Sequence, residues 1–260
     1  MLKNEDKQVI MDFSPKAACS SAVAMFFESL HIYQDINYTG FVHDYRQKHF
    51  YKLYGYVTAD EVASSNWYKF KVVRNPYSRA VSSYFHTMNL LWRSFFKHSN
   101  VFLSLVELQH YIMSVSFEKF YLFFLHKRGQ PFSGHDHVSM QSDEIEWMYY
   151  LSNKTYFNRI VKAENLKFDI NLVNNDTGMS FKQRGYKDKS QKHDWTRHDE
   201  TLMMNTSHYY GDIPFEQFIL NSKLVYPKDY RVFYNNNTRA LITKIFYRDL
   251  ILYNYKFGDR

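Results

Sequence analysis

Short apolar runs that end at turn residues alternate along this chain with segments whose apolar residues recur every three or four positions. The first such run, residues 8–13, ends at a Ser-Pro pair, and residues 20–30 then continue without a helix breaker. This order predicts a buried strand, a loop, and a helix capped by Ser20 or Ser21. A strand, an anion-sized loop and a helix form the opening unit of an α/β nucleotide-binding fold.

Aromatic and β-branched residues predict two further strands, at residues 51–58 and 68–73. Arg74 follows the second of these strands directly. Asn75 is placed to cap the next helix, and Pro76 suits its first position. The apolar residues of that helix predict a buried stripe made of Tyr77, Val81, Tyr84, Met88 and Leu91.

The rest of the chain continues as mixed α and β structure. We expect helices at residues 103–113, 117–127, 164–173 and 238–255, a strand at residues 157–162, and a loop at residues 128–134. Residues 174–212 are polar and lack periodicity. Because there is no internal repeat or linker, the prediction is a single domain over residues 1–260, in which residues 174–230 form a lid or an excursion.

Composition and charge narrow the class of protein. The 260 residues suffice for a large buried core, and the net charge of +7 favours an anionic partner. Cys19 is the only cysteine, which excludes a disulfide framework and a cysteine-based zinc site. The first residues are charged where a signal peptide is apolar, and no apolar run approaches the roughly 20 residues of a membrane span. We therefore expect a soluble, cytoplasmic protein.

The first candidate site is the predicted loop and the start of its helix, which consist of Pro15, Lys16, Ala17, Ala18, Cys19, Ser20 and Ser21. The amide groups of such a loop and the helix N-terminus attract an oxyanion. Small side chains at Ala17 and Ala18 permit close approach, and the hydroxyls of Ser20 and Ser21 can donate hydrogen bonds. The ammonium of Lys16 can neutralise a leaving group. The loop lacks the Gly-Lys-Ser/Thr of a Walker A motif, and a plain strand–turn–helix junction with a solvated lysine is the alternative.

The second candidate site begins at Arg74, at the predicted carboxyl edge of the sheet, where ligands of α/β folds bind. A guanidinium at this edge can hold a phosphate through two hydrogen bonds. Ser82 stands about six residues, or roughly 9 Å, along the following helix, so we expect the phosphate beside this helix. Arg79 is interpreted as a structural anchor.

Together the two segments resemble the superfamily of sulfotransferases that use 3′-phosphoadenosine 5′-phosphosulfate (PAPS). They are most similar to its carbohydrate branch, which includes the HNK-1, chondroitin and dermatan enzymes. The loop of that branch, Pro-Lys-x-x-Cys-Ser/Thr-Ser/Asn, is matched at Pro15, Lys16, Cys19, Ser20 and Ser21. Its second motif, Arg-Asp/Asn-Pro-Phe/Tyr-x-Arg-x-x-Ser, is matched at Arg74, Asn75, Pro76, Tyr77, Arg79 and Ser82.

Weaker similarities follow in the expected order. Residues 137–141 resemble a His-x-x-x-Gln segment, residues 164–166 a Glu-Asn-Leu element, and residues 245–255 the C-terminal helix of the family. Ala17 and Ala18 stand where other sulfotransferases often have glycine, which suits a backbone that needs no positive φ. A Gly-His-Val segment of related heparan-type enzymes has no counterpart, because the comparable residues here are Gly-Tyr-Val.

The resemblance implies a P-loop-like three-layer α/β fold, with a central, mostly parallel sheet flanked by helices. It implies transfer of a sulfuryl group from PAPS to an acceptor hydroxyl, expected on a carbohydrate, without a metal or a nucleic-acid partner. Lys16 would contact the bridging oxygen of the leaving 3′,5′-diphosphoadenosine. Residues 15–21 would hold the 5′-phosphosulfate, and Arg74 and Ser82 the 3′-phosphate.

Several residues are candidates for the general base that accepts the acceptor's proton, namely His43, Asp44, Glu61, His135 and His137. We favour His137, because it belongs to a segment that resembles the family. Two other functions stay open. The first is a P-loop-type kinase, and the second is a non-catalytic module that binds acidic glycans or nucleic acid.

Overall fold

The structure is a computed structural model that describes residues 1–32, 42–97, 111–126, 137–182, 208–220 and 223–259. In these ranges the strands are β1 (Leu2–Asn4), β2 (Val9–Phe13), β3 (Tyr68–Val73), β4 (Arg159–Lys162), β5 (Ile219–Leu220) and β6 (Lys223–Leu224). The α-helices are α1 (Cys19–Ser29), α2 (Val42–Tyr45), α3 (Tyr51–Tyr54), α4 (Ala59–Ser64), α5 (Pro76–Lys97), α6 (Phe117–His126), α7 (Glu144–Leu151), α8 (Leu166–Thr177), α9 (Asn236–Ile245) and α10 (Tyr247–Leu252). A π-helix spans Arg46–Phe50, and 3-10 helices span Ala163–Asn165, Phe215–Phe218 and Tyr230–Phe233.

The chain divides into two compact units. The sheet unit comprises residues 1–75, 141–193 and 251–260, and the helical unit comprises residues 76–140 and 194–250. The prediction of one functional domain with a lid stays a prediction.

A four-stranded sheet in the order β1-β2-β3-β4 forms the centre of the sheet unit. Strand β1 is antiparallel to β2, whereas β2, β3 and β4 run parallel. The register pairs Phe13 with Val72 and Val73 with Lys162. The carboxyl ends of the three parallel strands therefore meet at one edge of the sheet.

Helices cover both faces of this sheet. On one face Val9, Met11, Phe70 and Val72 pack with the apolar side of α1 and with α8. On the other face Ile10 packs with residues of α4 and α7. Because successive side chains of a strand point to opposite faces, β2 supplies both cores. The expected three-layer α/β fold is confirmed.

A buried ionic cluster joins β2, β3 and α7. Lys71, which is 3% exposed, pairs with Asp12 Oδ2 at 3.0 Å and also with Glu146. Burial alone would lower the pKa of Lys71, but Asp12 and Glu146 outweigh it and raise that pKa above its usual value. Burial raises the pKa of Glu146 to about 7, against the opposite effects of Lys71 and the Tyr253 hydroxyl. Lys71 therefore stays charged inside the unit.

The helical unit has an aromatic core. The predicted stripe of α5 is confirmed at Tyr77, Val81, Tyr84 and Met88, which are buried, whereas Leu91 at its far end is half-buried. Two buried tyrosines also hold the backbone, since Tyr84 donates to Val115 O at 2.8 Å and Tyr121 donates to Ala80 O at 2.9 Å. Rings packed around them include Phe85, Phe117, Phe120, Phe215, Phe218, Phe233 and Phe246.

The predicted strand at residues 51–58 is wrong. The chain is helical through Tyr54, and residues 55–58 lead to α4. The aromatic residues that suggested a strand recur at helical spacing, and the rings of Phe50 and Tyr54 stack at 4.7 Å. Packing of these rings along one side of the helical segment overrides the strand preference of aromatic residues.

Of the remaining predicted helices, strands and loops, some are confirmed and others differ or lie outside the described residues. The strand at 157–162 and the helices at 117–127 and 164–173 are confirmed as β4, α6 and α8. The helix at 238–255 is two helices, because the chain breaks at Phe246. The loop at 128–134, most of the helix at 103–113 and much of the 174–230 excursion lie outside the described residues. Within the described ranges, no helix is long and apolar enough to cross a membrane.

Candidate functional site

The loop after β2 continues the sheet before it turns into α1. Ser14 N donates to Val72 O at 3.2 Å, which extends the parallel ladder by one residue. Ala17 N then donates to Ser14 O at 3.1 Å and closes a tight turn. Ala22 N donates to Ala18 O at 2.9 Å and begins the helical bonds. The loop is therefore held at both ends by backbone hydrogen bonds.

Helix α1 starts without a side-chain cap. Its N-cap is Ala18, and the predicted capping by Ser20 or Ser21 is wrong, because both serines lie in the first turn. The first amide groups of a helix have no partner within the helix. The start of α1 thus presents backbone donors together with two hydroxyl side chains.

Two residues of the loop adopt left-handed backbone conformations. Lys16 has a φ of 64° and Ala18 has a φ of 56°. The expectation that alanine serves here because no positive φ is needed therefore fails at Ala18. A left-handed conformation costs a residue with a Cβ roughly 1–2 kcal/mol. The loop keeps this strain at positions where the family that its motif resembles often has glycine.

His43 on α2 reaches the start of α1. Its Nε2 lies 3.0 Å from Ser20 Oγ and 3.6 Å from Cys19 Sγ. The sequence named His43 only among several candidate bases. Its spacing from the loop, more than twenty residues, gives no sign of this contact.

The backbone of Arg74 and Asn75, just beyond β3, is held by side chains from two other segments. Arg74 N donates to Gln141 Oε1 at 2.8 Å, and Gln141 Nε2 donates back to Arg74 O at 2.7 Å. Asn75 N donates to Glu164 Oε1 at 2.9 Å, and Tyr255 OH donates to Glu164 Oε2 at 2.8 Å. We call these five residues the Arg74 clamp.

The clamp explains the weaker sequence similarities. Gln141, Glu164 and Tyr255 come from the three later segments that resemble the family, and all three converge on one turn. Burial and the neighbouring Glu164 raise the pKa of Tyr255, so its hydroxyl remains a donor at neutral pH. Asn75 Nδ2 also donates to Lys256 O at 3.1 Å. The side chain that was expected to cap α5 therefore secures the C-terminal segment.

The two sequence motifs meet in the sheet unit. Arg74 Nη1 donates to Lys16 O at 3.2 Å. A third cation, Lys162, lies at the end of β4, with its Nζ 4.3 Å from the ring centre of Tyr255. The carboxyl edge of the parallel strands therefore carries three basic residues beside a loop of amide donors, an arrangement that suits an anionic ligand.

Ser82, Arg79 and His137 belong to the helical unit. Arg79 is buried and donates from Nη1 to Ser139 O at 2.6 Å, as expected for a structural anchor. Ser83 Oγ donates to His137 O at 2.5 Å, and the His137 and His86 rings lie 4.3 Å apart. Ser82 is half-buried on α5. Ser82 as a phosphate ligand and His137 as the base stay predictions.

The other candidate bases differ in setting. Glu61 is engaged in a capping box with Thr58 at the start of α4, and these hydrogen bonds lower its pKa. Asp44 is exposed on α2. His135 lies outside the described residues. The structure thus gives Glu61 a role in helix capping.

Comparison with known proteins identifies the family. The profile described as sulfotransferase family matches residues 2–256, which is nearly the whole chain. The chain belongs to the sulfotransferase family, whose activity is transfer of a sulfuryl group. No curated protein and no solved structure gives a significant match.

The strain at Ala18 can be measured with a matched pair of substitutions. Ala18→Gly should raise the free energy of unfolding by about 0.5–1 kcal/mol, because glycine accepts a positive φ. Ala17→Gly should lower the free energy of unfolding, because Ala17 is fully buried and has no positive φ. Urea denaturation of both variants checks the sign. Equal shifts, or a less stable Ala18→Gly protein, would contradict the left-handed conformation.

Proposed function

We propose that the protein transfers a sulfuryl group from PAPS to a hydroxyl group of a carbohydrate. The observation that carries this proposal is the hydrogen bond from Arg74 Nη1 to Lys16 O, which brings the two basic motifs together at the carboxyl edge of the sheet. Membership of the sulfotransferase family supports the reaction class.

In the proposed reaction the acceptor oxygen attacks the sulfur atom, and the bond between sulfur and the bridging oxygen of the 5′-phosphate breaks. The electron pair of that bond stays on the bridging oxygen of 3′,5′-diphosphoadenosine. The Lys16 ammonium stabilises the developing charge, and the amides of the loop hold the phosphosulfate. A general base takes the acceptor's proton. As in phosphoryl transfer, catalysis rests on positioning and electrostatic stabilisation.

The remaining donor contacts follow the second motif. Arg74 and Ser82 are proposed to bind the 3′-phosphate, with the guanidinium giving two parallel hydrogen bonds. The Arg74 clamp supports this role, because a fixed backbone limits where the guanidinium can reach. Such preorganisation reduces the entropy lost on binding.

His43 is proposed to position the loop, whereas His137 is retained as the proposed base. The 3.0 Å contact of His43 with Ser20 Oγ fixes the rotamer of a hydroxyl that would face the phosphosulfate. A ring that already contacts Ser20 and Cys19 is better suited to orienting the loop than to receiving the acceptor's proton.

Lys16→Ala tests the catalytic assignment. We expect the rate of sulfuryl transfer from radiolabelled PAPS to fall by at least about 100-fold. Removal of one preorganised group that stabilises developing charge lowers a rate by this amount. Lys7→Ala, in the turn between β1 and β2, is a control that removes one exposed lysine from the same unit. An unimpaired turnover of a folded Lys16→Ala protein would refute the role of Lys16.

The roles proposed for His43 and His137 can be distinguished, because each substitution should change a different measured quantity. His43→Ala should weaken the affinity for 3′,5′-diphosphoadenosine by about 2- to 10-fold, the value of one hydrogen bond. His137→Ala should leave that affinity intact and lower turnover. Calorimetry and initial rates give the two readouts. A His137→Ala protein with a wild-type rate would exclude His137 as the base, and an unchanged donor affinity in His43→Ala would exclude positioning by His43.

A further inference from the structure

A cavity of about 270 Å³ opens at the edge of the sheet where β3 and β4 begin. Trp67 and Lys69 line it from the start of β3, and Thr155 and Asn158 line it from the segment that leads into β4. Arg74 and the donor loop lie at the other edge, beyond the carboxyl ends of the strands. A strand rises about 3.3 Å per residue, so Lys69 lies roughly 17 Å from Arg74. The cavity therefore belongs to the sheet unit but not to the donor edge.

The two lining segments are joined to each other by hydrogen bonds. Lys69 N donates to Asn158 Oδ1 at 2.7 Å, and Asn158 N donates to Lys69 O at 2.8 Å. Tyr156, which also lines the cavity, is 6% exposed and packs with Ile10 and Val62 in the core on that face of the sheet. The cavity is thus formed before any ligand arrives, as most small-molecule sites are.

The ammonium of Lys69 is the charged group of this cavity. It donates to Val62 O at 2.9 Å and to Ser65 O at 3.1 Å, near the end of α4. An ammonium has three donors, so one N–H remains for a ligand. In the described part of the chain no carboxylate pairs with Lys69, and burial lowers its pKa. A bound anion would offset this loss of hydration.

The other lining residues are neutral and rich in hydrogen-bond donors. Asn66 and Thr155 are exposed, and within the described ranges their side chains form no hydrogen bond, nor does the indole N–H of Trp67. The amide group of Asn158 accepts through Oδ1 and still offers its two N–H donors. None of the seven lining residues is acidic. One ammonium among neutral donors favours an anion over a metal ion, which would need carboxylate or imidazole ligands.

We propose that this cavity is a second anion site, which binds a tetrahedral oxyanion, phosphate or sulfate, either free or carried by a small polyol. The remaining N–H of Lys69 pairs with one oxyanion oxygen, and the Asn66 amide and the Thr155 hydroxyl donate to the others. Sites for drug-sized ligands measure roughly 300–1,000 Å³, so this smaller cavity suits an oxyanion with few further atoms. The inference is independent of the proposed function, because the donor edge is elsewhere.

The test uses the full chain and follows the indole N–H signal of Trp67 by NMR. The four tryptophans give four such signals, and Trp67→Phe identifies the one that belongs to Trp67. The probes are inorganic phosphate, inorganic sulfate, glycerol 3-phosphate and glycerol. We expect the tightest anion to bind at least about tenfold more tightly than glycerol, the scale of one charged hydrogen bond. The order of the three anions distinguishes phosphate from sulfate and the free ion from the ester.

Three substitutions examine the cavity itself. Lys69→Met should abolish the preference for anions. Because Lys69 also bonds to the end of α4, Thr155→Val is a second variant, which removes an exposed hydroxyl and no hydrogen bond of the described fold. It should weaken the tightest anion by about 2- to 10-fold, the value of one neutral hydrogen bond. Lys7→Met, which removes an exposed lysine between β1 and β2, is the control and should bind as the wild type does.

Four results would overturn the anion site. They are a Trp67 signal that no anion moves, equal affinity for glycerol and the anions, wild-type affinity in the Thr155→Val protein, and an equal loss of affinity in Lys7→Met. The Trp67 signal lies far from Lys16 and Arg74, so none of these results depends on whether the donor edge binds 3′,5′-diphosphoadenosine.

Discussion

The backbone of Arg74 and Asn75 is the constraint on which the rest of the site depends. Gln141 holds the peptide groups on both sides of Arg74, and Glu164 holds the amide of Asn75 while Tyr255 holds Glu164. Every group in this network is polar, and a missing partner would leave a buried or half-buried polar atom unsatisfied. Side chains from distant parts of the chain therefore hold the turn after β3 in a single position.

The fixed turn at Arg74 and Asn75 lies next to the loop between β2 and α1. Parallel pairing of β2 and β3 ends both strands at one edge, and Arg74 bonds there to the carbonyl of Lys16. The loop carries backbone strain at Lys16 and Ala18, which the strand ladder and the first helical bonds hold in place. Strain kept in this way is common where a backbone must surround a ligand.

The parts of the fold and site that local pattern determines were predictable from the sequence. The run before Pro15 and the run before Arg74 each became a strand, because short apolar runs next to turn residues have few alternatives. The segment at residues 51–58 was missed, because aromatic residues suit a strand or a helix until packing decides. The contact of His43 with Ser20 and the clamp residues join points far apart in the chain, and no local pattern encodes such distances.

The proposed function requires that the sheet edge at Lys16 and Arg74 bind the PAPS nucleotide. The most direct measurement is a calorimetric titration of the wild-type and Arg74→Ala proteins with 3′,5′-diphosphoadenosine, compared with ATP and Mg²⁺. We predict that the wild type binds the diphosphate in preference to ATP, and that Arg74→Ala weakens this binding by about 10- to 100-fold. Preference for ATP with Mg²⁺, or an affinity for the diphosphate that Arg74→Ala leaves unchanged, would contradict the account.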